Sequence, residues 1–280
     1  MKTHAIKTVL VVILLSAITG CQRDKKSPFE NKIQFDSISV DRVYHMLEQP
    51  ENPNCSLQIK FIYPVKFGNK EVLEAIRKQF VNSYFGDIYD ELTPEKATDE
   101  YVNIYIEDYK SLEDDFKEER EKSKGAPIAS WFSYYEMSSN DITYNKNNLL
   151  CYSVYYESYT GGAHGAHSQM NFVLDLEIGD LVTEEDIFIE DFQDELAQML
   201  VDNIAIQNEV DNAKELESIG FFSVEEIYPN GNFLIDDTGI TYFFNEYEIA
   251  AYVVGITNVQ LPFQEIKHLL RKDSPIAKLI

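Results

Sequence analysis

Cys55, Leu57, Ile59, Phe61, Tyr63 and Val65 alternate along the chain without a break. A period of two sends these side chains to one face of a strand, so the segment has to pair with neighbours and be covered on that face. A cover follows directly. Across residues 69–86, Val72, Ile76, Phe80 and Tyr84 recur every fourth residue, the spacing of a helix with one apolar face, and Gly86 stands where it can stop. Residues 94–122 predict a longer helix that begins at Pro94 and presents Ala97, Tyr101, Ile104, Tyr105, Leu112 and Phe116 on one side. Its charged end, residues 113–124, interleaves Glu with Lys and Arg as a solvated helix face does.

Elsewhere the pattern returns to strands. Residues 33–40 alternate weakly, and residues 130–144 and 149–159 read as a hairpin turning at Asn145-Lys146-Asn147-Asn148. A glycine-rich loop over residues 160–168 leads to a strand at 170–176. Thr183 and Asp186 mark a helix start, with helical spacing over 188–210. A hairpin is expected around Asp237-Thr238-Gly239, short strands at 251–254 and 258–261, and a closing helix at 263–271. Strands and helices come in runs, which favours an α+β fold: antiparallel sheets with helices packed on one face, in two sequential subdomains, 31–168 and 169–280.

The first twenty residues read as an address. Lys2 and Lys7 precede an apolar run over residues 8–17, too short to span a bilayer core of roughly 30 Å as a helix. Ile18-Thr19-Gly20-Cys21 then resembles a bacterial lipobox, which implies cleavage after residue 20, a lipidated Cys21 and a flexible tether over 21–30. No later stretch is apolar for eighteen residues. The expected location is the cell envelope, on the extracytoplasmic side, with the membrane reached through the lipid anchor. Cys55 and Cys151 remain, and in an oxidising compartment they are either a disulfide or two buried thiols.

Charge limits the partners. The chain carries 48 acidic and 24 basic residues, and cleavage of the leader takes the net charge from −24 to −26. Nucleic acid needs a basic footprint, so it is not an expected partner. Residues 175–226 hold 17 acids and one base, Lys214. They fit no EF-hand spacing and read as a solvated acidic surface that favours encounters with basic partners.

For chemistry, the conspicuous segment is Gly161-Gly162-Ala163-His164-Gly165-Ala166-His167. Two readings apply: a loop whose glycines adopt positive φ while His164 bonds to backbone, or a pair of imidazoles sharing a metal. The first is favoured, because no third ligand in a zinc-enzyme order is evident. No catalytic residue, metal ligand set or cofactor is assigned. Trp131 with Tyr134, Tyr135, Tyr152, Tyr155, Tyr156 and Tyr159 offers faces for sugar stacking, although alternation sends at least half of them into the core.

Two motifs carry a family resemblance. Tyr159-Thr160-Gly161-Gly162-Ala163-His164-Gly165 with Asp186-Ile187-Phe188 is one. Phe243-Phe244-Asn245-Glu246-Tyr247-Glu248-Ile249-Ala250 with Leu261-Pro262-Phe263 and Ile266 is the other. Together they resemble RsiV-like extracytoplasmic proteins, a family of paired domains found in a lysozyme-sensing anti-sigma factor, beside a peptidoglycan deacetylase and in lipoproteins. The resemblance implies an α+β fold and a candidate loop formed by Tyr159, Gly161, Gly162, His164 and His167, with Tyr247, Glu248 and Ile249 as the second motif. It further implies a binding or sensing role toward a cationic protein such as lysozyme, or toward peptidoglycan fragments as a cell-wall glycan. The deacetylase's His-Ser/Thr-x-x-His and paired Asp are missing, as is a cleavable membrane helix, and Ala251 stands where the family usually has Pro. The alternative class is a metal-dependent envelope hydrolase, deacetylase-like, using His164 and His167.

Overall fold

The structure is a computed structural model and describes residues 30–124 and 128–280. The predicted leader, Cys21 and the tether up to residue 29 lie outside the described residues. Six strands form the main sheet in sequence order: β1 (Gln34–His45), β2 (Asn54–Lys66), β3 (Tyr134–Lys146), β4 (Leu149–Tyr159), β5 (Ala166–Asp175) and β6 (Asp180–Leu181). The expectation of purely antiparallel sheets needs one correction. β2 and β3 run parallel, because the chain between them crosses over through three helices, α1 (Lys70–Phe85), α2 (Pro94–Lys110) and α3 (Glu113–Lys122).

The alternating segment forms β2, and its Leu57, Ile59, Phe61 and Tyr63 pack under α1 with Val72, Ile76 and Phe80. Asn69 caps α1 by accepting from the Glu71 and Val72 amides, and Gly86 ends it at φ 105°. Phe80 stacks on Tyr152 of β4 with centroids 4.1 Å apart, fastening helix to sheet centre. The long helix expected at 94–122 is two helices. Leu112 N–H bonds to the Tyr109 carbonyl, three residues back, and Ser111 Oγ donates to the Asp108 carbonyl at 2.6 Å. That tightened turn redirects α3 so that Phe116 joins Met46, Cys55, Tyr109 and Phe132 in a separate cluster.

The other face of the sheet is covered over part of its width. A second sheet, β7 (Phe233–Ile235), β8 (Gly239–Phe244) and β9 (Thr257–Pro262), is antiparallel. With α5 (Gln193–Gln207) it shares one core with Tyr144, Leu149, Cys151 and Val173 of the large sheet. Helices therefore lie on both sides of the main sheet, α1 and α2 on one and α5 beyond the small sheet on the other. Before α5 comes one turn, α4 (Glu184–Ile187), whose capping box joins Thr183 and Asp186. The chain closes through α6 (Phe263–Ile266), extended by a 3₁₀ turn, Lys267–Leu269. Residues 252–254, expected as strand, form a 3₁₀ turn.

The glycine-rich segment is the connection of a hairpin within the main sheet. β4 and β5 pair from Leu149 with Asp175 to Ser158 with Ala166, so the boundary expected at 168/169 falls inside β5. Cys55 and Cys151 are buried free thiols in different clusters. Burial pushes the Cys151 thiol up to about 12.

Candidate binding groove

Where the small sheet stops, the main sheet's second face is open. A groove of about 520 Å³ crosses it, lined by Asp41 of β1, Gln58 and Lys60 of β2, Met137 and Ser139 of β3, Tyr155 and Glu157 of β4, His167 of β5, and Ile256 from the other sheet's approach. The lining follows from alternation. β3 and β4 send Glu136, Tyr152, Val154 and Tyr156 toward the helices, so Tyr135, Met137, Tyr155, Glu157 and Tyr159 face the groove side. Of the aromatic residues considered for stacking, Tyr152 is core, Tyr134 packs against the α3 cluster, and Tyr135, Tyr155 and Tyr159 lie on the open face.

The loop above the groove is shaped by its glycines. Gly161 and Gly162 have φ of 92° and 105°, and Tyr159 donates its hydroxyl to the Gly162 carbonyl at 2.9 Å. A Cβ on Gly165 would lie 2.9 Å from the Ser158 carbonyl oxygen and 3.2 Å from the Tyr135 hydroxyl, so glycine lets the hairpin close.

The two histidines have different places. His164 sits at the exposed loop tip. Its Nδ1 lies 2.8 Å from the Gly165 carbonyl, which only accepts, so Nδ1 carries the proton. In the neutral ring Nε2 then accepts from the Tyr247 hydroxyl at 3.3 Å. The imidazole stacks on Tyr252 at 3.9 Å between centroids. His167, expected in the loop, belongs instead to β5, directly opposite Glu157. It lies between two carboxylates, Glu246 Oε1 at 3.3 Å from Nδ1 and Glu157 Oε1 at 3.8 Å from Nε2. Tyr135 donates to the same Glu157 oxygen at 2.9 Å, and that bond raises the Tyr135 hydroxyl pKa.

The second motif reaches this place because the outer edge of β5 is capped by side chains. Gln169 N–H donates to Asn245 Oδ1 at 2.8 Å, and Asn171 N–H donates to Asn232 Oδ1 at 2.8 Å. Asn232 Nδ2 returns a bond to the Gln169 carbonyl at 2.9 Å. Asparagine side chains thus stand in for a neighbouring strand. Glu248 accepts from the Asn245 amide at 2.8 Å and from Asn230 Nδ2 at 2.6 Å, and Ile249 is buried, so both hold the turn. Tyr247, at φ 64°, is exposed and faces His164.

The assembled site is an aromatic platform of His164, Tyr247 and Tyr252 beside a groove carrying Asp41, Lys60, Glu157 and His167, with the largely buried Glu246 held against His167. Among the described residues no group of three or more His, Cys, Asp and Glu side chains converges as a metal-ligand set. Sequence reasoning did not single out Glu157 or Tyr252, and it reached Glu246 only as a member of the second motif. Alternation through β3 and β4 points to Glu157, whereas no local signal places Glu246 beside His167 or Tyr252 beside His164.

Comparison with known proteins agrees with this architecture. A family model described as deacetylase PdaC matches residues 51–167, and one described as a protein of unknown function (DUF3298) matches residues 185–264. The chain carries both domains, in the paired order of RsiV-like proteins. It is similar to the crystal structure of a DUF3298 family member from Bacteroides fragilis, at 29% identity and a TM-score of 0.84, covering 90% of this chain and 98% of that one. A DUF3298 family protein from Pseudomonas aeruginosa shares the fold at 11% identity and a TM-score of 0.57, covering 87% and 97%. No curated protein matches. The domains mark an envelope-associated, extracytoplasmic α+β protein, and no helix among the described residues is long and apolar enough to cross a membrane.

Proposed function

We propose that this chain, a PdaC-type domain followed by a DUF3298 domain, is a lipid-anchored binding protein of the bacterial cell envelope that recognises a cationic protein such as lysozyme. The observation that carries the reading is the groove on the open sheet face, lined by Asp41, Glu157 and His167, with Glu246 held against His167 and the His164–Tyr252 stack beside it. Carboxylates next to exposed aromatic faces suit Arg and Lys side chains, through charge-assisted hydrogen bonds and cation–π contact. The net charge of the chain adds long-range attraction to such a partner. Lysozyme itself enters through the family resemblance.

Calorimetry at physiological salt tests it, with cytochrome c as a second basic protein. Specific recognition predicts lysozyme binding at least tenfold tighter, roughly 1.4 kcal/mol, and a loss of that margin in Glu157→Gln/Glu246→Gln. Equal affinities overturn the lysozyme-type partner.

The aromatic platform favours a second ligand class, peptidoglycan fragments, which would stack a sugar face on His164 and Tyr252. Tyr252→Ala would abolish fragment binding under this reading. A metal-dependent hydrolase using both histidines requires near-stoichiometric metal in the purified protein, lost in the His164/His167 double variant. The anchor is tested separately: Cys21→Ala should release the protein from membranes or leave it unprocessed.

A further inference from the structure

β1 is an edge of the main sheet, and its outer backbone groups have no neighbouring strand among the described residues. Which groups point outward follows from β2. Ile62 offers its N–H and C=O to Asn140 on the β3 side, at 2.7 and 2.8 Å. Ser37 is the residue opposite Ile62, so its own N–H and C=O point away from β2. By alternation those of Ser39, Asp41 and Val43 point outward too. Two are covered by side chains of the strand itself: Asp36 Oδ1 accepts from Ser37 N–H at 2.8 Å, and Arg42 Nη1 donates to the Asp41 carbonyl at 3.0 Å. β1 contains no Pro and no Lys, and its one register irregularity lies at its very start, between Gln34 and Phe35. Apart from the charges of Asp36, Asp41 and Arg42, the usual devices that blunt an edge are missing along its length.

We propose that β1 pairs antiparallel with β1 of a second copy about a two-fold axis at Ser39, joining two main sheets into one. In this register Asp36 lies opposite Arg42 of the second copy, twice over. Ile38 lies opposite Val40, and Ser39 opposite itself. Because the outward groups belong to the odd-numbered residues, Asp36–Arg42 and Ile38–Val40 are the close, non-hydrogen-bonded pairs, in which opposite charges and apolar side chains stabilise a sheet most directly. The two side chains that now cap the edge are released by the partner strand, and each then faces the other. A shift of two residues either way sets Asp36 against Val40 or Tyr44 and loses both ion pairs, so the charges select one register. The like charge of the copies opposes encounter, and screening at physiological salt confines that repulsion to about 8 Å. The axis stands perpendicular to the sheet, so both grooves open on the same side, and Val40 and Asp41 in the groove lining bring them close to the axis.

The test uses the full chain with Cys21→Ser, kept in solution, at 0.15 M salt. Sedimentation equilibrium should show a concentration-dependent dimer. Asp36→Arg and Arg42→Asp should each weaken it at least tenfold, since each sets like charges opposite one another. Mixing the two variants should restore association, because both arginines of the first then face the two aspartates of the second. Under mild oxidation Ser39→Cys should cross-link as a homodimer and Ser37→Cys should not, its counterpart being Asp41. A chain that stays monomeric at high concentration, a mixture no tighter than its components, or equal cross-linking at both positions would each overturn the proposal.

Discussion

Asn140 shows how one side chain decides a junction. It is buried, and its amide takes both backbone groups of Ile62 where the parallel pairing of β2 and β3 ends at Lys60 and Ser139. Asn140→Ala leaves the half-buried N–H and C=O of Ile62 without their partner, and the expected cost is about 1–3 kcal/mol in urea unfolding. Glu136 is the complementary case, only 5% exposed, with its carboxylate accepting from Tyr101 at 2.5 Å and Tyr156 at 2.8 Å. Burial raises its pKa above the ordinary value of 4.5, against the lowering effect of the two hydroxyls. The folded state therefore holds that proton more tightly than the unfolded chain. Its contribution is fully present below pH 4.5 and declines as pH rises through the raised value. Stability measured across this window should fall with pH, and Glu136→Gln should flatten that slope; an unchanged slope would remove Glu136 as its source.

At the scale of elements, the β4–β5 hairpin and the turn after β8 form the site between them. Gly165→Val forces a side chain against the Ser158 carbonyl and the Tyr135 hydroxyl, so the strands must part at the loop. The expected loss is roughly 1–3 kcal/mol of stability together with weaker ligand binding. His164→Ala should behave differently. Its ring is exposed and its hydrogen bonds are solvent-accessible, so unfolding midpoints should shift little, by roughly 0.5 kcal/mol at most. Ligand affinity should nevertheless fall, because Tyr252 loses the ring stacked on it. A large stability loss with unaltered binding would reverse these roles.

For the whole molecule, the acidic surface is solvated. Asp194, Glu195 and Asp202 are exposed on α5, and Glu226 is exposed beyond it. A field of this sign acts on encounter more than on the bound complex. Association with a basic partner should therefore slow as salt rises from 0.1 to 1 M, over which the Debye length falls from about 10 to about 3 Å. Stopped-flow measurements should find the on-rate strongly salt-dependent and the off-rate much less so. An on-rate indifferent to salt would reduce the acidic surface to a solubility feature.

The sequence alone determined what local periodicity and turn chemistry encode. β2 was legible because its side chains alternate, and α1 because Asn69, the i+4 apolar row and Gly86 agree with one another. The turn at Asn147 and Asn148 was legible because asparagine tolerates the positive φ both residues adopt, 54° and 58°. The glycine-rich motif and its two histidines stood out for the same local reason. The break between α2 and α3, the parallel pairing of β2 with β3 and the continuation of the main sheet through β5 were decided by tertiary structure, since each depends on which distant segment buries a given face. The site followed the same rule. His167 acquires its meaning only when β4 brings Glu157 opposite it, and when asparagines of the second domain cap the edge of β5 and carry Glu246 alongside. Short-range pattern specifies elements through sterics and burial, whereas hydrogen bonds between residues some eighty positions apart leave no trace in any window of the sequence.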